Sequence, residues 1–365
     1  MAGLWEAIGG VRMNPLTIRG EAVPPNVGPL GIRKFLPDGT VVTPPPPPPP
    51  PTGGGGGGGL TVFGSSAPNY SGDVAGVRTA FGSLPCRRAY NNSLMSPPGA
   101  ADHCPSYYAE ISNGFTQAQL DAFVALVRDN TDPGKTSFIT HGHENDQAAK
   151  GTPVLQYNAE LVMMCNTAVR LGQGKVRVAP VGRGFLIRTA TGPSNWTSAH
   201  WTTATSTAMR QIDPTSGRQV GVLSFDLYNG KTASQDFTPA GLYGSLVAMA
   251  ANLGIGWGTA ESSYATYHGA PAPNGTTAVR GIRTDTTGGY DNAGLAGYWT
   301  AVNTYLKANP PEVFIYWQSD NQAAGGPTVD ANGYVLQRTP FLNGQFTDAY
   351  PQACIAVANM FARSA

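Results

Sequence analysis

Residues 136–146 read Thr136-Ser137-Phe138-Ile139-Thr140-His141-Gly142-His143-Glu144-Asn145-Asp146. The first six form a short apolar run rich in β-branched side chains, which predicts a buried strand. A polar set, His143 to Asp146, follows at once. Runs of the same kind recur at 60–66, 86–91, 107–112, 176–182, 220–226, 255–261 and 313–317, so 136–141 is the fourth of eight. Helical patterns separate most of them. Phe115 and Leu120 flank a Thr116-x-x-Gln119 capping box as a hydrophobic staple, and Leu120, Phe123, Val124 and Val127 extend it as a stripe. Leu161, Met164, Cys165 and Ala168 give a second stripe, stopped by Gly172. Leu295, Tyr298, Trp299, Val302, Tyr305 and Leu306 give a third, and Cys354, Val357, Ala358 and Phe361 close the chain. The uncharged run from Thr238 to Ala260 holds Pro239, Asn252 and five glycines, and reads as helix, turn and strand instead of a membrane span. Eight strands alternating with helices predict an α/β fold, a (β/α)8 TIM barrel over residues 60–365. An open doubly wound sheet would need a GxGxxG loop after its first strand, and none follows residue 60.

In such a barrel the chemistry sits at the carboxyl ends of the strands. The fourth strand runs into His143-Glu144, the sixth into Ser224-Phe225-Asp226-Leu227-Tyr228-Asn229, the seventh into Glu261-Ser262 and the eighth into Trp317-Gln318, while the second carries Arg87, Arg88 and Tyr90. Glutamates after strands four and seven face each other across the mouth. A retaining glycosidase needs one acid/base and one nucleophile in that arrangement, roughly 5–5.5 Å apart. Arg88 and Tyr228 are the candidates to hold the nucleophile's charge. The segments 262–290 and 318–346 are far longer than usual βα connections of about 2–6 residues, so both read as binding loops on the same face.

The motifs in this order resemble the large clan of (β/α)8 glycoside hydrolases whose acid/base follows strand four and whose nucleophile follows strand seven. The resemblance implies Glu144 as acid/base and Glu261 as nucleophile. His143-Glu144 resembles the β-mannanase-like group, family 26, in which a histidine directly precedes the acid/base. The Phe225-Asp226-Leu227-Tyr228-Asn229 run is similar to that group's strand-six end, whose tyrosine hydrogen-bonds the nucleophile. Trp317 matches the tryptophan that floors the sugar subsite. Arg88, His143, Asp226, Tyr228 and Trp317 are thus the expected substrate-binding set. The chain departs from the group just before His143, where Thr140, His141 and Gly142 stand in place of aromatic residues, and the resemblance does not carry mannan over as substrate.

Other residues have plainer readings beside the sharp ones. Trp196, Trp201, Trp257 and Tyr264 read as core aromatics or as sugar platforms. His141 reads as a structural histidine or, sharing a strand face with His143, as a ligand with Asp146; no third fixed ligand is evident, so no metal and no cofactor is expected. Cys86, Cys104, Cys165 and Cys354 contain no CxxC pair, and a Cys86–Cys104 bridge stays open.

The chain is organised around a tether. Pro44 to Pro51 is an unbroken proline run and Gly53 to Gly59 a glycine run. Polyproline is a stiff rod rising about 3.1 Å per residue, and polyglycine is a loose joint. Residues 1–43 are too few for a core of their own and read as an anchoring segment that orders on another protein; 44–59 is the linker. A net charge of +1, without a basic cluster, argues against nucleic acid and anionic membrane as partners. Charged residues make up only 12%, so the surface relies on neutral hydrogen-bonding groups that suit sugars. A polyproline–polyglycine bridge between a short segment and a hydrolase-like barrel is similar to minor tail proteins of phages that infect mycobacteria and related actinobacteria. That likeness implies a virion tail tip, tail-tip proteins as partners of residues 1–43, and host cell-envelope polysaccharide as partner of the barrel; self-association stays open. Three functions remain: an active envelope glycosidase, a tail adhesin that only binds glycan, and a secreted bacterial glycosidase. The first twenty residues hold Glu6 and Arg12 and no apolar secretory stretch, which argues against the third.

Overall fold

A computed structural model of the chain describes residues 61–66, 73–90, 92–145, 153–184, 192–228, 238–263, 266–267, 282–283, 292–317 and 351–364. The expected anchor and linker, Asp146, Tyr264 and most of the two long loops lie outside them.

Each expected strand is present: β1 Val62–Ser66, β2 Cys86–Ala89, β3 Ser106–Ile111, β4 Ser137–His141, β7 Val222–Tyr228, β8 Gly256–Ser263 and β11 Val313–Trp317, with the run at 176–182 divided into β5 Val176–Val178 and β6 Val181–Arg183. The pairs are parallel, in the order β5-β4-β3-β2-β1-β11-β8-β7-β6. The two ends of that order are one strand. Val178 N–H donates to Val220 on the β7 side and Ala179 N–H to Ile139 on the β4 side. Pro180 has no N–H to continue the ladder, which divides the strand, but Ala179 and Val181 still share a face. The sheet therefore closes into an eight-stranded barrel. A separate pair, β9 Thr266–Tyr267 and β10 Ile282–Arg283, follows β8.

Alternation along the strands sorts the core into two layers. Val62, Cys86, Tyr108, Phe138, Ala179, Val181, Val222, Ala260, Val313 and Ile315 fill the barrel interior. Phe63, Tyr107, Ile139, Leu223, Phe225 and Phe314 point outward beneath the helices. Most strands are followed by helices: α1 Asp73–Phe81, α2 Gln117–Asn130, α3 Val154–Leu171, α4 Gly192–His200, α5 Thr203–Met209, α6 Pro239–Leu253, α7 Asn292–Ala308 and α8 Pro351–Phe361. Among the described residues between β2 and β3, only a 3-10 turn, Asn92–Leu94, appears.

The capping box and the first two expected stripes form, with Leu161, Met164, Cys165 and Ala168 buried on α3. Thr116 and Gln119 make a reciprocal capping box, and Leu120, Phe123, Val124 and Val127 are buried. The apolar run 238–260 becomes α6, then Gly254 at φ 66, then β8. The left-handed Gly254 closes a Schellman turn, its N–H donating to Ala251 O and the Ile255 N–H to Ala250 O. No helix among the described residues is long and apolar enough to cross a membrane. Trp196, Trp201 and Trp257 are core residues of the outer layer. Cys86, Cys104 and Cys165 are free and buried, with no disulfide among them, and burial pushes the Cys104 thiol up to about 11.

Candidate active site

The carboxyl ends of β2, β3, β4, β7 and β8 bring Arg88, Tyr90, Glu110, His143, Glu144, Asp226 and Glu261 together at one mouth. Inward alternation delivers Arg88 and Tyr90 above Cys86, Glu110 above Tyr108, and Asp226 above Val222. Glu261 arrives differently. On β8, Trp257 packs outward and Ala260 inward, so strict alternation would send Glu261 outward. The register shifts: Phe225 pairs with Thr259, but Asp226 pairs with Glu261. The other neighbour agrees, since Phe314 pairs with Thr259 and Tyr316 with Ser262. One extra residue in β8 is a bulge that aims Ala260 and Glu261 both inward and leaves Ser262 outward, bonded to Tyr243 on α6 at 2.8 Å.

The strand-four end turns by another device. His141 is the last residue of β4 and points outward, stacked on Tyr157 at 4.6 Å and edge-on to Phe115. Gly142 (φ 55) and Glu144 (φ 51) then take left-handed backbone. A Cβ at Gly142 would meet Asn113 Oδ1 at 2.9 Å as well, so glycine is required twice over. Glu144 has no such licence, and its strained backbone is held by its N–H bonding to Val181 O at 3.2 Å. The turn separates His141 from His143, against the expectation that two histidines two apart share a face: the strand ends between them. Burial pushes the His141 imidazole down to about 4, so Glu160 Oε2, 3.4 Å away, faces a neutral ring.

Tyr90 O–H donates to Glu261 Oε1 at 2.5 Å, and Glu261 is 5% exposed. A donated hydrogen bond favours the carboxylate form. His143 Nε2 lies 3.1 Å from Asp226 Oδ2 and 3.7 Å from Glu261 Oε1. The 3.1 Å approach is a contact out of line for a hydrogen bond, since neither Asp226 oxygen has a hydrogen-bond partner among the described residues. Burial first, then the charges of Glu261 and Glu144, push Asp226 well above the ordinary carboxylate range. Burial and these two neighbouring charges thus favour the neutral form of Asp226. Arg88 pairs with Glu110 at 2.8 Å and lies over the rings of Tyr90 and Tyr108 at 4.5 and 4.8 Å. Burial works against its charge, but Glu110, Tyr90, Tyr108 and, at longer range, Glu261 outweigh it.

Sequence reasoning placed Arg88, His143, Glu144, Asp226 and Glu261 at this mouth, and they meet there. It named Tyr228 as the nucleophile's hydrogen-bond donor; the backbone of Tyr228 ends β7, its side chain lies outside the described residues, and Tyr90 makes such a bond. Trp317 ends β11, and its side chain is likewise outside. Glu110 and Asn113 were missed. With Tyr90, Gly142 and His143 they line a cavity of about 350 Å³. The inward parity of Glu110 with Tyr108 was the available signal.

His143, Glu144 and Asp226 offer metal-ligand atoms within 4.8 Å of one another. The donor set fits a cation poorly. Arg88 Nη2 lies 3.2 Å from His143 Nδ1, and arginine only donates, so a neutral ring carries its proton on Nε2 and has no lone pair there for a metal.

The closed parallel sheet with helices outside it is a (β/α)8 barrel. No protein-family model matches the chain, and no curated protein does. Among solved structures, a fungal β-1,4-galactanase superposes with a TM-score of 0.50 at 10% identity, over 82% of this chain and 99% of the galactanase chain. The catalytic domain of a family 26 endo-β-1,4-mannanase from Bacillus sp. JAMB-750 gives 0.45 at 15% identity, over 84% and 87%. A family 26 β-mannanase from Bacteroides ovatus gives 0.44 at 11%, over 84% and 89%. At these identities the likeness is one of fold.

Proposed function

We propose that the barrel binds and hydrolyses a polysaccharide by a retaining mechanism, with Glu261 as nucleophile and Glu144 as acid/base. The observation that carries this reading is Glu261 itself: a nearly buried carboxylate, turned inward by a bulge, held by Tyr90 and facing the histidine that precedes Glu144. In the first step Glu261 attacks the anomeric carbon while Glu144 protonates the departing oxygen. In the second, Glu144 takes a proton from water, which displaces the sugar. Protonated Asp226 leaves Glu261 free to carry the negative charge. Tyr228 and Trp317 complete the sugar-binding surface. On this reading residues 1–43 attach the chain to a phage tail tip, 44–59 let the barrel swing, and the substrate is host cell-envelope polysaccharide. Polysaccharides from actinobacterial walls, arrayed and then assayed for released reducing ends, test it. Glu261→Gln and Glu144→Gln should keep binding and lose release. Binding without release by the wild type would make the protein an adhesin, and full release by Glu261→Gln would remove the assignment.

A further inference from the structure

Glu110 has no part in the two-carboxylate scheme, yet it grips the site from two sides. Its Oε2 accepts from Arg88 Nη2 at 2.8 Å, and its Oε1 accepts from the backbone N–H of His143 at 3.4 Å. The same Nη2 lies 3.2 Å from His143 Nδ1. We propose that Glu110, acting through Arg88, is a positioning residue that fixes the proton of the His143 ring on Nε2 and so makes that nitrogen an obligatory hydrogen-bond donor into the barrel mouth.

Guanidinium hydrogens are donors without exception, so Nδ1 must accept. A neutral imidazole then bears its single proton on the other nitrogen. Arg88 cannot readily turn away, because its side chain is fully buried and its guanidinium lies over Tyr90 and Tyr108. Tyr108 O accepts from Arg88 Nη1 at 3.2 Å, and the carboxylate of Glu110, only partly exposed, holds Nη2. The fixed Nε2–H faces Asp226 Oδ2 and Glu261 Oε1. Whatever ligand group enters beside Nε2 must therefore be an acceptor, such as a hydroxyl or ring oxygen, and a metal ion is turned away. This inference stands whether or not the protein hydrolyses a glycan.

The test needs no substrate. The full chain, labelled with 15N in its histidine rings, is examined by long-range 15N–1H NMR at pH 7, and His143 is assigned by the signals lost in His143→Gln. The wild type should show an unprotonated Nδ1 and a protonated Nε2. Glu110→Gln offers one acceptor oxygen where the carboxylate offered two, so Arg88 keeps Tyr108 O as partner of its Nη1 but loses the charged partner that holds Nη2. The two ring shifts should then move toward each other as the Nδ1–H form gains at least about a tenth of the population, an equilibrium change of order 1 kcal/mol. Arg88→Lys, whose compact ammonium cannot serve both partners, should do the same and decides the matter if Glu110→Gln does not fold. A proton on Nδ1 in the wild type overturns the proposal. So do variant spectra identical to the wild type.

Discussion

Asp226 and Glu261 are paired partners across the β7–β8 ladder, brought onto one face by a single extra residue in β8. Two carboxyls so placed cannot both ionise cheaply in a buried site. Glu261 has the hydroxyl of Tyr90, whereas Asp226, 2% exposed, has no hydrogen-bond donor among the described residues. Burial and the charge of Glu261 favour the neutral form of Asp226, and a consequence for stability follows. A carboxyl whose folded pKa is raised binds its proton more tightly in the native state than in the unfolded chain. Its contribution is present below the unfolded pKa and is lost as pH rises toward the folded one.

Asp226→Asn replaces the neutral acid with a neutral amide of similar shape. We expect the variant to be at least as stable as the wild type at pH 7 and to lose less stability as pH rises from about 4. Urea midpoints at pH 4, 5.5 and 7 measure this. A wild type whose stability profile runs parallel to the variant's would show that Asp226 ionises normally.

Tyr90→Phe removes the donor to Glu261 and little else from the packing. Hydrogen bonds to charged groups contribute about 1.5–3 kcal/mol, so kcat on a glycan that the wild type cleaves should fall by roughly tenfold to a hundredfold. KM should move much less. Unchanged kcat would mean that Tyr90 does not stabilise the reacting carboxylate.

How much of this was legible in the chain depends on what kind of signal each residue leaves. The barrel was legible because alternation and capping are local: Thr116 and Gln119 announce α2, and the 176–182 run was visible even though Pro180 divides it into β5 and β6. Glu144 and Glu261 stood out by their place after strands four and seven. The bulge at Ala260 leaves no local mark, since its evidence is a mismatch of register between β8 and both neighbours. The turn at Gly142 hid the separation of His141 from His143, because period-two reasoning assumes that the strand continues. Glu110, and the bond from Tyr90 to Glu261, became part of the site only when β2 and β3 were laid beside β4 and β8.

His141 makes a second pH-dependent element, of opposite sign to Asp226. Burial lowers its folded pKa to about 4 from an ordinary 6.5. Its contribution is complete above the unfolded pKa and is lost as pH falls through the folded one. The loss between pH 6.5 and 4 should approach about 3 kcal/mol. His141→Phe keeps an aromatic ring on Tyr157 and removes the titration, so its acid limb should be flatter by that amount in urea titrations. A variant that keeps the wild-type acid limb would move the effect elsewhere.

The division of the chain gives the last prediction. Thr61 is 7% exposed, Val62 N–H bonds to Glu312 O at 3.0 Å, and β1 pairs with β11 from Val62 to Ser66. At the other end Ser364 Oγ accepts from Phe63 N–H at 3.0 Å, and Phe81 meets Phe361 edge-on at 5.2 Å, so α8 closes over α1 and β1. The barrel's first and last elements therefore hold each other, and its strand order is complete from Val62 onward. Removing residues 1–59 should leave a barrel with the wild-type near-UV dichroism and an unfolding free energy within about 0.5 kcal/mol, as for a change away from the core. The same truncation should abolish attachment to the tail assembly proposed as the partner of residues 1–43. A truncated chain that aggregates or melts early would make the amino-terminal segment part of the fold. One that folds and still assembles would move the attachment surface onto the barrel.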